Sequence, residues 1–256
     1  MIELRDIRKR FGALQVLDGV DLAVAPGRVT ALVGPNSAGK TTLIKSVLGL
    51  TRLDAGTITI GGAPIDRDGR YRERIGYMPQ IARYPENLTA TDLFAMMRGL
   101  RRETAEPDEE LIDALQLRGH LEQPLRVLSG GTRQKVNAAL AFFFSPDLLI
   151  LDEPTAGLDP ASSGTLKDKI LAERRRGRTV VLTSHVMSEL DELAEDVAFL
   201  IDGRIRYSGP IRDLKRATRQ LSLERAVAHV LTEQTARAGT ERAGTERAET
   251  ERAGAA

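Results

Sequence analysis

Short apolar runs separated by turn residues dominate the start of the chain. Residues 2–7, 14–17 and 20–24 carry β-type apolar positions, and Ala25-Pro26-Gly27 closes the series with a turn. This pattern predicts an antiparallel layer. Val29-Thr30-Ala31-Leu32-Val33 then reads as a buried strand and residues 42–48 as a helix, with further short strands at 56–60 and 75–79. From about residue 89 to 119 the period becomes helical: Leu93, Met96, Met97 and Leu100, then Leu111, Ile112, Leu115 and Leu117, recur with charged residues between them. Thr89 or Thr91 and Asp108 are the expected N-caps, and the methionines read as core filling. Another helix is expected to open after Leu128-Ser129-Gly130-Gly131 and run to about Phe144. Asp147-Leu148-Leu149-Ile150-Leu151 is a continuous apolar run of the kind buried on both faces of a parallel sheet. A helix over 161–176, a strand over 179–183, a hairpin of 196–201 with 204–208 around Asp202-Gly203, and a surface helix from Ile211 complete the reading. The pattern is that of an α/β core with an antiparallel β layer and a helical subdomain inserted at about 81–145.

Composition narrows the class. At 256 residues the chain can bury one large core. Lys plus Arg total 37 and Asp plus Glu 36, a balance that gives no reason to expect nucleic acid or an acidic membrane surface as the main partner. Absence of cysteine excludes disulfides and thiolate metal sites. The N-terminal residues carry charges with no apolar stretch behind them, so no secretory signal is expected. The longest apolar runs, such as 138–144, fall far short of the ~20 residues that span a bilayer. Any membrane association is therefore expected to come through a partner.

Against this frame the chemistry concentrates at strand ends. Gly34-Pro35-Asn36-Ser37-Ala38-Gly39-Lys40-Thr41-Thr42 lies between a buried strand and a helix. Glycines at 34 and 39 permit a tight turn whose backbone N–H groups converge, and the helix N-terminus adds positive charge at the same point. Lys40 then reaches the β- and γ-phosphates of a nucleotide, and the Thr41 hydroxyl can ligate Mg²⁺. Asp152 and Glu153 end the long apolar strand at the side where ligands of open α/β sheets bind, so one carboxylate can hold the metal while the other polarises water. Pro154 biases Glu153 toward an extended conformation. Three residues have two readings each. Phe11 at a turn is either core or a stacking surface for a purine; Ser129 is either a plain N-cap or part of an anion site formed with Gly130 and Gly131; His185 is either structural or within reach of a γ-phosphate.

Taken in this order, the motifs resemble the nucleotide-binding domain of an ABC transporter. Residues 34–42 match its Walker A motif, Gln80 the Q-loop, 128–135 the family signature, 148–153 Walker B with its glutamate, 156–159 the D-loop, and His185 the switch histidine. Phe11 falls at the adenine-stacking aromatic. The resemblance covers residues 1 to about 216 as one ATP-binding domain, followed by a helical extension at 217–234 and a disordered repeat tail at 235–256. It implies a P-loop NTPase core of the ABC ATPase type. Phe11, Gly34, Asn36, Ser37, Ala38, Gly39, Lys40, Thr41 and Thr42 would bind ATP, with Ser129, Gly130 and Gly131 completing the site of an opposite subunit. Thr41, Gln80 and Asp152 would serve Mg²⁺, Glu153 would activate water, and His185 would contact the γ-phosphate. The implied partners are a membrane permease and a second copy of the chain in the ATP-bound state, with the protein cytoplasmic and peripheral to the inner membrane. Ser37 departs from the family's usual glycine; if that position needs φ > 0, the strain is of order 1 kcal/mol. More narrowly, Met78-Pro79-Gln80-Ile81-Ala82-Arg83-Tyr84-Pro85-Glu86-Asn87 with Ser129-Gly130-Gly131-Thr132 looks like the ATPase subunits of the Nos system, which serves maturation of the copper enzyme nitrous oxide reductase.

The rival reading is a soluble ABC ATPase acting on ribosomes or DNA. A ribosomal factor of that kind would carry two such domains, and a repair ATPase a long coiled-coil insertion; neither pattern is present. Beyond about Gln234 the chain repeats Arg-Ala-Gly-Thr-Glu with small variations and has no apolar side chain larger than Ala. Such a segment cannot bury enough surface to offset its ordering entropy. Truncation after Gln234 should leave the ATPase rate unchanged in a steady-state assay, and a large loss would reveal a docking role for the tail.

Overall fold

The computed structural model describes residues 1–65, 68–100 and 106–230. The expected repeat tail, and residues 231–234 of the expected helical extension, lie outside them. The chain divides into two compact units, one covering Met1–Gly209 and a second beginning at Pro210.

The first unit is built on two sheets. β1 (Ile2–Phe11) and β2 (Leu14–Val24) pair antiparallel, β1 also pairs antiparallel with β4 (Ala55–Ile60), and the two-residue β5 (Ala63–Pro64) closes the edge in the order β2-β1-β4-β5. The sequence pattern breaks this pair into three short runs, whereas the structure has two long strands. Register shifts between Leu4 and Ile7, Ile7 and Arg8, and Lys9 and Arg10 explain the difference. A bulge moves the apolar set to the other face and interrupts the period of two without ending the strand.

The second sheet has the order β10-β9-β3-β8-β7-β6, from β3 (Val29–Val33), β6 (Ile75–Met78), β7 (Leu148–Asp152), β8 (Thr179–Thr183), β9 (Asp196–Ile201) and β10 (Arg204–Pro210). Its inner strands run parallel: β6 with β7, β7 with β8, β8 with β3 and β3 with β9. Every residue of β3, β7 and β8 is buried, as continuous apolar strands in a two-sided parallel sheet require. The turn between β9 and β10 places both Asp202 (φ 48°) and Gly203 (φ 69°) in the left-handed region, the conformation a two-residue hairpin loop favours.

Helix α1 (Lys40–Val47) follows β3 and buries Leu43, Ile44 and Val47 in the core shared with Ile7, Leu17 and Val20 of the antiparallel layer. Between β6 and β7 the chain runs through α2 (Ala90–Leu100), α3 (Glu110–Ala114) and α4 (Gly130–Phe142). Thr89 and Asp92 cap α2 reciprocally: Thr89 N–H donates to Asp92 Oδ2 at 2.8 Å and Asp92 N–H to Thr89 Oγ1 at 3.1 Å. Asp108 is not the cap of α3, since Glu109 holds that position. Asp108 instead accepts from Glu110 N–H at 3.0 Å and from the buried Lys169 ammonium at 2.6 Å, so its charge is spent on a cation of α5 (Pro160–Arg175). A short α6 (Met187–Leu193) follows β8, too brief to give a helical period in the sequence. In the second unit, α7 (Ile211–Thr218) ends at Arg219 with φ 56°, and Ser222 caps the helical residues 223–230 through a 3.3 Å bond from Arg225 N–H.

Contact between α4 and β6 depends on one glycine. A Cβ at Gly76 would lie 2.0 Å from the carbonyl oxygen of Ala141 and 2.7 Å from Pro146 Cγ, so helix backbone rests directly on the strand. Gly76→Ala should cost about 2–3 kcal/mol or more, the upper range for overpacking, read as a lowered denaturation midpoint with an unchanged slope.

Candidate nucleotide site

Leaving the sheet at Val33, the chain turns through residues 34–39 to enter α1. Gly34 is fixed by space, because a Cβ there would stand 2.0 Å from Leu200 O. Gly39 is fixed by both space and backbone: φ is 101°, and a Cβ would meet Leu17 Cδ2 and Val16 O at 2.9 Å. Ala38 is buried and donates its N–H to Pro35 O at 3.0 Å, while Asn36 and Ser37 face solvent. Ser37 is not among the residues with positive φ, so the strain considered for it does not arise; Gly39 takes the left-handed conformation instead.

Lys40 opens α1, and its Nζ bridges the loop, donating to Gly34 O at 2.5 Å and Pro35 O at 3.0 Å. Burial lowers the pKa of this ammonium, opposed by the negative charges of Glu153 and Asp152. No acidic residue occupies the first turn of α1, so no side chain of the helix itself competes with an anion for the positive end of its dipole. Thr41 is exposed and Thr42 half-buried beside it. The loop is thus a backbone cradle with a cation across it and a hydroxyl at its rim, and these are the donors a phosphate chain requires.

The carboxylates come from the neighbouring strands. Asp152 and Thr183 end β7 and β8 in register. Thr183 is fully buried, and its hydroxyl donates to Asp152 Oδ1 at 2.6 Å while accepting from Glu153 N–H at 3.0 Å. Glu153 is not extended, as Pro154 would favour; its φ is 55°. Thr183, whose backbone oxygen also takes Glu153 N–H at 3.2 Å, holds the residue in this rarely populated region. The twist turns the Glu153 side chain toward His185, whose N–H donates to Oε2 at 3.2 Å and whose Nε2 lies 3.2 Å from Oε1. Burial raises the Glu153 pKa; His185 is the largest of the influences opposing that rise.

Sequence reasoning missed Thr183 and Glu189. Glu189 on α6 accepts from Thr155 Oγ1 at 2.7 Å and Ser184 Oγ at 3.1 Å, tying the turns after β7 and β8 together on either side of His185. Only the register of β7 with β8 marks Thr183, and nothing local marks Glu189.

Gln80 is exposed and leaves β6 just beyond Met78, which pairs with Leu151, so it emerges one strand from Asp152. Phe11 is not core: it is 52 % exposed at the β1–β2 turn, with Lys9 Nζ 5.1 Å from its ring centroid. Ser129 is exposed and caps α4, accepting from Thr132 N–H at 3.1 Å. Among the described residues, no hydrogen bond or ion pair joins residues 129–131 to residues 34–42. A Cβ at Gly131 would instead lie 3.2 Å from Gly157 O, and Lys135 pairs with Asp159 at 3.1 Å. One copy of the chain therefore assembles the loop, the two carboxylates and His185, and leaves the Ser129 turn outside.

This arrangement agrees with what comparison finds. The model of the family described as ABC transporter matches residues 17–156. The chain belongs to the ABC transporter family. It is 34% identical over 208 residues to Nod factor export ATP-binding protein I of Burkholderia lata, covering 79% of this chain and 68% of that one. Identity is 35% over 219 residues to the protein of the same name from Cupriavidus metallidurans, covering 84% and 72%. Among solved structures, an ATP binding subunit of an ABC transporter superposes with a TM-score of 0.81 at 30% identity, covering 90% of this chain and 99% of that one. The chain is an ABC ATPase, a family whose cassettes bind and hydrolyse ATP. These relatives are named for Nod factor export, so the narrower resemblance to the Nos system gains no support from them.

The raised Glu153 pKa has a consequence for stability. Below the unfolded value of 4.5 the carboxyl is protonated in both states and costs nothing; as pH rises through the higher folded value, ionisation becomes a penalty on the native state alone. Glu153→Gln should therefore melt above the native protein at pH 7, with the difference vanishing below about pH 4, measured as Tm across pH.

Proposed function

We propose that the chain is the ATP-hydrolysing subunit of a membrane exporter, acting as a nucleotide-dependent dimer on a separate permease. The observation that carries this reading is Glu153 at the strand ends, its backbone N–H held by Thr183 and its carboxylate facing His185. A carboxylate whose pKa is raised is a better proton acceptor from water than an ordinary one, and its neighbour Asp152 stays engaged with Thr183. Lys40 and the backbone of residues 34–42 hold the phosphates, with Thr42 beside them. Phe11 offers its exposed face to the adenine.

Asp152, the Thr41 hydroxyl and Gln80 present hard oxygen donors of the type Mg²⁺ takes, and they would hold it between protein and phosphates. When bound, the ion supplies charge neutralisation of the phosphate oxygens. Glu153 accepts the proton of the attacking water, and His185 stands beside it, at the γ-phosphate end.

Supporting the partner assignments, no described helix is long and apolar enough to cross a membrane, and the relatives are named as ATP-binding proteins of export systems. A cytoplasmic position at the inner membrane follows from such a permease. The exposed Ser129 turn, separated from its own chain's loop, supports closure of each nucleotide by a second copy. The Nos-type role rests on residues 78–87 and the signature alone and is not carried into this proposal.

Glu153→Gln keeps the shape and removes the base. It should lower ATP turnover by about 100-fold or more and accumulate as an ATP-bound dimer in light scattering. A variant that remains monomeric with ATP and Mg²⁺ at high concentration, or turns over normally, would sink both the dimer and the assigned base.

A further inference from the structure

We propose that Asn137 is a positioning residue for Gln80, its one amide holding both ends of the segment 79–84 on α4. The inference rests on the reading of Gln80 given above. Asn137 lies in the middle of α4 and is 1 % exposed, and a buried amide must find partners. Its Nδ2 donates to Pro79 O at 3.0 Å and to Gln134 Oε1 at 3.5 Å, and its Oδ1 accepts from the Tyr84 hydroxyl at 3.3 Å. A carbonyl oxygen only accepts, so Pro79 fixes which end of the amide is nitrogen. Burial pushes the Tyr84 phenol up to about 12, which keeps it a donor throughout the neutral range.

Pro79 directly precedes Gln80, and Tyr84 closes the segment. Between them Gln80, Ile81 and Arg83 are exposed, and among the described residues 80–83 make no hydrogen bond or ion pair. The tether at the two ends therefore decides where the segment lies. The base of the tether is firm, because α4 rests backbone to backbone on β6 at Gly76. The same helix begins at Ser129. A shift of α4 thus carries the Ser129 turn and Gln80 together, and Asn137 is the side chain through which the helix holds the segment.

ATP turnover of the purified full chain tests this with Gln80→Ala, Asn137→Leu, Tyr84→Phe and the double variant Asn137→Leu/Gln80→Ala. Asn137→Leu should lower kcat about tenfold with KM for ATP changed less than about twofold, and Tyr84→Phe should lower kcat about threefold. In the Gln80→Ala background the Asn137 change should add nothing further, as expected of two residues acting through one element. Additive losses in the double variant would overturn the inference and leave Asn137 as packing. If Gln80→Ala is slow while Asn137→Leu and Tyr84→Phe run at the native rate, the inference falls and the Gln80 reading stands. If Gln80→Ala itself turns over normally, the reading falls and takes the inference with it. Should Asn137→Leu fail to fold, Tyr84→Phe, which removes one hydroxyl, in single and double form with Gln80→Ala carries the same comparison.

Discussion

Two adjacent carboxylates, Asp152 and Glu153, are buried within the electrostatic reach of the Lys40 ammonium, and the architecture around them makes that arrangement tolerable. An uncompensated buried charge is expensive. Here the cost is met by placement: three parallel strands bring their carboxyl ends level, so the loop after β3, the carboxylates after β7 and Thr183 of β8 share one edge. Thr183 is the joint, donating to Asp152 and accepting from the Glu153 backbone. With the Asp152 oxygen satisfied and Glu153 twisted away, the two carboxylates do not compete for one position.

The strain at Glu153 belongs to the same logic. A residue before proline is steered toward extended backbone, yet this one has φ 55°. The surrounding bonds over-determine it, and the result aims its carboxylate at His185 rather than along the strand. Glu189 extends the support outward by fixing Thr155 and Ser184, the residues that frame the acid and the histidine. The conformation of Glu153 and its surroundings thus rest on the hydroxyls of Thr155, Thr183 and Ser184 and on the Glu189 carboxylate.

The helical insertion is coupled to this edge through β6. Gly76 lets α4 settle on the strand, and Gln80 leaves that strand one strand over from Asp152. On the opposite side, Lys169 joins Asp108 and Glu110, at the start of α3, to α5 at 2.6 and 2.7 Å. Such pairs fix orientation more than they add stability, since burying the partners offsets much of their attraction.

What the sequence by itself determined is whatever is local. The apolar runs of β3, β7 and β8, the glycines at 34 and 39, Lys40 and the Asp152-Glu153 pair were legible because a buried parallel strand and a phosphate turn each demand particular residue types within a few positions. Tertiary structure alone decided the rest. The bulges that keep β1 and β2 continuous, the exposure of Phe11, the αL twist of Glu153, the ordinary backbone of Ser37 and the roles of Thr183, Glu189 and Asn137 all depend on partners distant in the chain. Thr183 and Asp152 become neighbours only when two strands pair in one register, and a one-residue slip would turn each side chain to the other face. A residue's type records what it is able to bond, whereas its partner is set by the packing of elements that local sequence does not encode.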